Sequence, residues 1–256
     1  MTRTDPGAGG SGAQRRPRLA AASWLAEPTG KAALFLAAAT AGIVTVVAAG
    51  WRPVLRMDRH VAVDLHALAL EHPNLTHANR ILTDWALDPW TMRLLLAAVA
   101  VWLWRRRERL LALFTAGTSA VEAGVRQVLR WAIGRERPRW ERPVDSADFA
   151  ALPSGHAMTA AASCVLLLWL ARRAQLRSAL WHTALAGAVL AVAGACFTRI
   201  FLGVHWLTDT LAGALLGAAL ATAAIATWHS ITGPRPARAA ADAKPAAPPR
   251  RKDLPR

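Results

Sequence analysis

A charge-free apolar stretch near the start of the chain restricts its fold more than any other feature. Twenty residues, AALFLAAATAGIVTVVAAGW, separate Lys31 from Arg52 and contain no ionisable side chain. At about 1.5 Å of rise per residue, a helix of this length crosses the roughly 30 Å hydrocarbon core of a bilayer. The stretch therefore predicts a membrane-spanning helix.

Five further stretches have a similar apolar character, although one of them is interrupted by Arg93 and another carries Glu122 and Arg126. They are predicted over about 89–104, 110–130, 148–171, 178–198 and 209–228. With the first stretch, they predict an all-α fold, a bundle of six transmembrane helices.

The same pattern divides the chain into three parts. The membrane domain is predicted over residues 31–230. The N-terminal tail, 1–30, and the basic C-terminal tail, 231–256, are rich in Gly, Ser, Pro, Ala and Arg and are predicted to be disordered.

Basic residues indicate how the helices are oriented. Lys and Arg exceed Asp and Glu by 31 to 16, which could mean nucleic acid, anionic lipid or a membrane protein with basic cytoplasmic loops. The basic residues concentrate in both tails, in RRRER at 105–109 and in 172–177. These segments alternate with the predicted helices, so we expect a plasma-membrane protein with cytoplasmic termini and no nucleic-acid partner. Nine of the twelve tryptophans lie near predicted helix ends, as is typical of membrane interfaces.

The first outer loop has an amphipathic pattern. Val61, Leu65 and Leu68 recur at helical spacing among charged residues, which predicts an interfacial amphipathic helix. Four histidines in this loop are irregularly spaced, so we expect them to be solvated and predict no metal site. They are His60, His66, His72 and His77.

Three polar clusters lie where this topology brings helix ends together on the outer face. They are RWAIGRERP at 130–138, PSGH at 153–156 and TRIFLGVHWLTD at 198–209. Ionisable groups at a membrane are energetically costly, which makes these clusters candidates for function.

The PSGH cluster has the chemistry of an anion site. Pro153 suits the first turn of a helix, and the free N–H groups of Ser154, Gly155 and His156 would then point towards an anion. Gly155 permits close approach, and the Ser154 hydroxyl adds a donor. Guanidinium groups that match phosphate oxygens would come from Arg130, Arg137 and Arg199.

Two histidines could perform the chemistry. His205 and Asp209 are four residues apart and share one helix face, so the carboxylate can orient the imidazole and leave its other nitrogen free to attack. His156, across the site, would protonate a leaving oxygen. A single helix-end histidine is more often simply solvated, but two histidines with an aspartate and three arginines favour catalysis.

These clusters resemble the three motifs of the type-2 phosphatidic acid phosphatase superfamily of membrane lipid phosphatases, K-x6-R-P, P-S-G-H and S-R-x5-H-x3-D. The resemblance covers roughly residues 30–230. Arg130 stands where the family usually has Lys, and Thr198 where it has Ser. The resemblance implies a six-helix bundle with an outward-facing, metal-independent site and no cofactor.

The resemblance also implies residue roles and substrates. His205 would be phosphorylated, Asp209 would be its partner and His156 the leaving-group acid. The phosphate would be held by Arg130, Arg137, Ser154, Gly155 and Arg199. Phosphatidic acid, phosphatidylglycerol phosphate and polyprenyl pyrophosphates such as undecaprenyl pyrophosphate all remain open, because the motifs contact only the shared phosphate. A lipid phosphotransferase and a non-catalytic lipid-binding or transport bundle are the alternatives.

One further charge pattern lies on the third predicted helix. Glu122, Arg126 and Arg130 occur at i, i+4 and i+8, which predicts an ion pair between Glu122 and Arg126. That pair would either orient the phosphate-binding end or be purely structural.

Overall fold

The computed structural model describes residues 24–233, which form helices joined by loops and contain no strand. The helices are α1 (Pro28–Ala48), α2 (Arg52–Glu71), α3 (Pro73–Ile81), α4 (Pro89–Arg105), α5 (Arg109–Ile133), α6 (Gly155–Arg173), α7 (Ser178–Phe201) and α8 (Leu207–Thr232), with a π-helical turn, Leu82–Ala86, before α4. The all-α class is confirmed. Most of both predicted tails, residues 1–23 and 234–256, lies outside the described residues.

Five helical segments between residues 24 and 233 are long and apolar enough to cross a membrane. They are Pro28–Ala48, Pro73–Arg105, Gly155–Arg173, Ser178–Phe201 and Leu207–Thr232. Helix α5, with 25 residues, is also long enough. It is less apolar because its second half carries Glu122, Arg126 and Arg130, and it is not among the five. The predicted count of six spans therefore stays a prediction.

Helices α6 and α8 form the centre of the bundle. The first three turns of α6 are almost wholly buried. A Cβ atom on Gly213 of α8 would lie 2.6 Å from the Ser154 carbonyl oxygen, and one on Gly217 would lie 2.1 Å from that of Met158. The two glycines therefore let the backbones of α6 and α8 touch, as small residues do in membrane helix packing.

The bundle has two chemically different ends. At the polar end α4, α6 and α8 begin, and α5 and α7 finish. The apolar end is the opposite one, where a cluster of buried side chains joins α4, α5 and α8: Ala100, Leu103, Leu111, Ala112 and Trp228. The long segment 134–154 between α5 and α6 lies at the polar end and contacts α2 there.

Helix α2 covers the polar end, and its buried face overlaps only in part with the predicted one, since Leu65 packs against a buried cluster. Its buried residues are Asp58, Ala62, His66 and Ala69, whereas Leu68 of the predicted apolar face is exposed. Helix α2 packs on α7 and α8, and its buried polar residues have partners there, as Asp58 does in Arg135. The interfacial placement of this helix stays a prediction.

The prediction that His66 is solvated is wrong. Only 5 % of its surface is exposed, and its ring stacks on Trp140 with centroids 4.0 Å apart. Its Nε2 lies 3.1 Å from the carbonyl oxygen of Arg142. The segment after α5 folds back over α2, a long-range contact that the local spacing of histidines does not encode.

Candidate active site

A cavity of about 340 Å³ opens at the polar end of the bundle. Its lining includes six of the eight sequence-predicted site residues: Arg130, Arg137, Gly155, His156, Arg199 and His205. The other two, Ser154 and Asp209, are fully buried directly behind this lining. The fold thus gathers all three polar clusters around one space.

His205 occupies the turn between α7 and α8. Gly203 has a φ of +70°, a left-handed conformation that glycine adopts without strain, and a Cβ there would lie 2.5 Å from Nε1 of Trp140. His205 Nε2 lies 3.1 Å from Arg137 Nη1. Since a guanidinium can only donate, Nε2 accepts and the ring proton resides on Nδ1.

The surroundings of His205 favour its neutral form. The side chain is 1 % exposed. Burial first, and then the positive charges of Arg137, Arg199 and Arg130, hold the pKa of His205 well below its usual value. The imidazole therefore carries a free lone pair at neutral pH, which a nucleophile requires.

Asp209 lies behind the ring, as the spacing of four residues predicts. Its Oδ2 is 3.5 Å from His205 Nδ1, longer than a normal hydrogen bond, as is common before substrate binds. The same oxygen accepts the Trp206 backbone N–H at 2.9 Å. The carboxylate therefore both caps α8 and faces the histidine.

Two residues that the sequence reasoning missed complete this arrangement. Arg135 donates to the Asp209 carboxylate and, at 2.7 Å, to Oδ2 of Asp58 on α2. Asp58 in turn accepts the Thr208 backbone N–H at 2.9 Å and the Thr208 hydroxyl at 2.6 Å. Arg135 lay within the RWAIGRERP cluster, but Asp58 carried no recognisable signal. We call Asp58, Arg135 and Asp209 the aspartate bridge.

The PSGH turn differs from its prediction in two respects. Ser154 is the N-cap, and α6 begins at Gly155, so Pro153 precedes the helix and is not in its first turn. The Ser154 N–H donates to the Asp209 carbonyl oxygen at 3.0 Å and is not free for an anion. The N–H groups of Gly155 and His156 remain in the first turn, where helical partners are missing. Within residues 24–233 the buried Ser154 hydroxyl has no hydrogen-bond partner.

The three predicted arginines reach the cavity from different segments. Arg130 donates through Nε to the Pro153 carbonyl oxygen at 3.3 Å, and Arg199 Nη1 lies 3.4 Å from Asp145 Oδ2. Arg137 is fixed by the carbonyl oxygen of Val204 at 2.5 Å. Burial and then the charge of Arg199 lower the pKa of Arg137 to about 10, so it stays protonated at neutral pH. Three cations therefore face one small space.

His156 faces the same cavity from the first turn of α6. Its Nε2 lies 4.0 Å from Oδ1 of Asp88, which caps α4 by accepting the Trp90 N–H at 2.6 Å. Asp88 was not predicted as a site residue. Within the described residues, this carboxylate is the acidic group that lies within 4.0 Å of the His156 ring.

The predicted pair between Glu122 and Arg126 is wrong. The buried Glu122 carboxylate instead lies 3.2 Å from Arg93 Nη2 and accepts the Thr159 hydroxyl at 3.1 Å. Helix α4 packs against α5 and presents Arg93 to Glu122, a choice of partner that spacing along α5 alone does not reveal. Arg93 and Arg126 both line the cavity.

Comparison with known proteins supports this architecture. No curated protein matches the sequence. The fold is similar to one described as the crystal structure of the first transmembrane PAP2 type phosphatidylglycerolphosphate phosphatase, from Bacillus subtilis, with a TM-score of 0.70 and 20% identity over 79% of this chain and 98% of that one. The family model of the PAP2 superfamily matches residues 109–232, which include all three motifs. The chain is therefore an integral membrane protein, and its residues 109–232 carry the sequence pattern of the PAP2 superfamily.

Proposed function

We propose that this protein is a membrane phosphatase that takes a phosphoryl group from a phosphorylated lipid and holds it transiently on His205. The main support for the proposal is the environment of the His205 ring. Its ring is buried at the edge of the cavity, burial and nearby arginines lower its pKa, Nε2 lies beside Arg137, and a carboxylate lies 3.5 Å from Nδ1. A binding protein would need none of these features.

The first step transfers the phosphoryl group to the histidine. Substrate phosphate displaces the contact between Arg137 and His205, and the Nε2 lone pair forms a bond to phosphorus. The bond from phosphorus to the lipid oxygen breaks, and its electron pair stays on that oxygen, which takes a proton from His156. Asp209 stabilises the positive charge that develops on the imidazole.

The second step hydrolyses the phosphohistidine. His156, now neutral, removes a proton from a water molecule as its oxygen attacks phosphorus. The phosphorus–nitrogen bond breaks, its electrons return to Nε2, and inorganic phosphate leaves. The bound phosphate and Asp88 favour the protonated form of His156 that starts each cycle.

Electrostatic stabilisation comes from side chains fixed before substrate arrives. Arg130, Arg137 and Arg199 surround the cavity, and the first-turn N–H groups of α6 point their dipoles towards it. Preorganised donors of this kind meet the charge that develops on a transferring phosphoryl group. This supports metal-independent catalysis, in which guanidinium groups supply the positive charge.

The proposed topology has six spans, with α5 as the sixth. Both termini are cytoplasmic, the membrane domain covers 31–230, and the site faces outward from the plasma membrane. Two facts support this: RRRER lies at the apolar end between α4 and α5, and the cavity lies at the opposite end. Trp90 is 71 % exposed beside the cavity, and Gln127 is exposed as well. We propose that lipid reaches the cavity sideways between these residues.

The test measures phosphate release from short-chain phosphatidic acid and from a polyprenyl pyrophosphate, with EDTA present. We expect release to survive chelation and to fall by on the order of 10³-fold or more in His205→Ala, which removes the nucleophile. The matched control is His182→Ala, since His182 is exposed on α7 and should leave release unchanged. An acid-labile phosphoprotein should form with wild type and be absent from His205→Ala.

Two outcomes would favour the alternatives. Transfer of phosphate to an added alcohol in preference to water would identify a phosphotransferase. Binding of both lipids without release of phosphate would contradict the enzyme assignment and favour a lipid-binding or transport bundle.

A further inference from the structure

We propose that Arg126 forms a second phosphate subsite beside the catalytic one, so that the preferred substrate is a lipid with two phosphate groups. The inference rests on the proposed function and narrows its substrate class. It concerns a residue outside the three motifs. The second group would be either the inner phosphate of a lipid diphosphate or a phosphodiester close to the scissile phosphate.

The position of Arg126 is the first argument. A Cβ atom on Gly155 would lie 2.7 Å from Arg126 Nη1 and 3.0 Å from Arg130 Nη2. Both guanidiniums therefore flank the same point at the first turn of α6, where the helix N-terminus favours anions. The absence of a side chain on Gly155 makes room for both. An anion bound by Arg130 is within immediate reach of Arg126.

The balance of charge is the second argument. Arg93 pairs with Glu122, and Arg199 pairs with Asp145. Within the described residues, Arg126 and Arg130 have no ion-pair partner. Nε of Arg126 is, moreover, buried without an acceptor there. Buried donors and charges are costly unless a partner is bound.

The positive charge of these unpaired arginines exceeds the negative charge of a single phosphate. Arg137 also has no carboxylate partner in residues 24–233, so three guanidiniums await negative charge. One phosphate monoester carries a charge of about −1.5 to −2 at neutral pH. A second phosphate adds at least one further negative charge and would compensate Arg126.

The depth of Arg126 is the third argument. It lies one helical turn, about 6 Å, farther from the polar end of α5 than Arg130 does. Arg93 lies about one helical turn into α4, four residues after Pro89. In a lipid with two phosphates, the inner one lies between the scissile phosphate and the hydrocarbon chain, which extends into the bilayer. The inner phosphate would therefore meet Arg126.

Arg93 lies beside this subsite, but its guanidinium is already bound to other side chains. Glu122 and the Thr159 hydroxyl hold its Nη2 at 3.2 and 3.4 Å. Because Glu122 is engaged by Arg93 and Thr159, it makes no ion pair with Arg126. We therefore assign phosphate binding to Arg126 and a positioning role to Arg93.

The subsite also has a chemical consequence for a diphosphate. His205 attacks the terminal phosphorus, and the bond between that phosphorus and the bridging oxygen breaks. The bridging oxygen keeps the electron pair and leaves as part of a lipid monophosphate. Arg126 faces the inner phosphate, where this charge accumulates, and so stabilises the leaving group.

The test compares two substrates that differ by one phosphate, farnesyl diphosphate and farnesyl monophosphate, on the full-length protein. We expect Arg126→Gln to lower the ratio of their kcat/KM values, diphosphate over monophosphate, by at least about tenfold, equivalent to about 1.4 kcal/mol. Arg126→Lys should restore part of that ratio, since it keeps the charge but not the fork. Equal losses on both substrates would overturn the subsite.

The charge control is Arg139→Gln. Arg139 has a side chain that is 83 % exposed and pairs only with the exposed Glu136 in the described part of the chain. Its removal subtracts the same charge from the polar end and should leave the ratio unchanged. A fall as large as that in Arg126→Gln would mean a general field effect and would overturn the proposal.

A second pair of substrates identifies the source of the inner phosphate. Phosphatidylglycerol phosphate carries a phosphodiester beyond its terminal phosphate, whereas phosphatidic acid with the same acyl chains carries the terminal phosphate alone. A loss in Arg126→Gln confined to the farnesyl pair supports a diphosphate, and one confined to the glycerolipid pair supports a phosphodiester.

As a second measurement, inhibition by inorganic pyrophosphate should weaken in this variant more than inhibition by inorganic phosphate. Equal weakening would count against the subsite.

Failure of this inference is distinguishable from failure of the proposed function. If wild type releases phosphate from neither farnesyl substrate nor either glycerolipid, the phosphatase assignment fails. If release depends on His205 but the ratio is insensitive to Arg126→Gln, only the second subsite fails.

Discussion

The two ends of the bundle are held together by different forces. At the apolar end, Trp228 packs its ring 4.9 Å from Phe114 and 6.0 Å from Trp169, centroid to centroid. At the polar end, the aspartate bridge joins α2, the segment after α5 and α8 through buried charges. Packing contacts are individually weak and numerous, whereas each buried charge depends on specific partners. We therefore expect the polar end to respond more sharply to single substitutions.

Among the single substitutions that compare the two ends, we expect Asp209→Asn to have the largest effect on activity. An amide cannot stabilise the imidazolium that forms on His205, and it weakens the contact with Arg135. We expect kcat to fall by about 10³-fold, the scale seen when a histidine loses its carboxylate partner. Steady-state phosphate release measures this, and Asp64→Asn, an exposed position on α2, is the matched control. A loss of less than tenfold would mean that Asp209 does not assist the histidine.

A smaller effect should separate stability from activity. Asp58→Asn leaves Arg135 with one of its two carboxylates, so we expect about 2 kcal/mol less stability and several-fold lower kcat. Trp228→Leu removes aromatic packing and a cation–π contact with Arg173 at the apolar end. We expect it to cost about 1 kcal/mol and to leave kcat unchanged.

Thermal unfolding in detergent, with phosphate release on the folded protein, measures both variants. If Trp228→Leu lowered kcat as much as Asp58→Asn, the two ends would not be functionally distinct.

The smallest effect concerns pH. Because the pKa of His205 lies below its usual 6.5, the nucleophile stays neutral until the pH falls well below that value. Arg137 is the largest of the charges that lower it, so Arg137→Gln should raise this pKa. The acid limb of the kcat/KM profile should then move to higher pH, although burial still keeps it below 6.5. The limb should not move in Arg139→Gln, and a limb that stays in place in Arg137→Gln would contradict the charge effect.

The sequence predicted those parts of the site that depend on local spacing. His205 and Asp209 are four residues apart, and helical geometry alone brings them together. Gly155 and His156 adjoin the N-terminus of a helix that composition identifies. The helix boundaries follow from the apolar stretches to within about four residues, except that the stretch predicted from residue 148 becomes helical only at Gly155.

The parts that could not be predicted depend on how distant elements pack. Asp58 and Arg135 are 77 residues apart in the chain, and no periodicity links them. Spacing along α5 offers Arg126 as the partner of Glu122. The packing of α4 against α5 brings Arg93 to it instead. His66 is buried because the segment after α5 turns back over α2. In each case tertiary packing, and not spacing in the sequence, determines which group the polar side chain contacts.

The aspartate bridge has a consequence for how the protein becomes active in a cell. Asp58 reaches Arg135 only when α2 is docked, and Arg135 in turn holds the carboxylate that faces the histidine. Insertion of the apolar helices into the bilayer therefore does not by itself assemble the nucleophile. In the proposed topology, this contact between Asp58 and Arg135 forms only after the first outer loop has crossed the membrane and settled on the bundle.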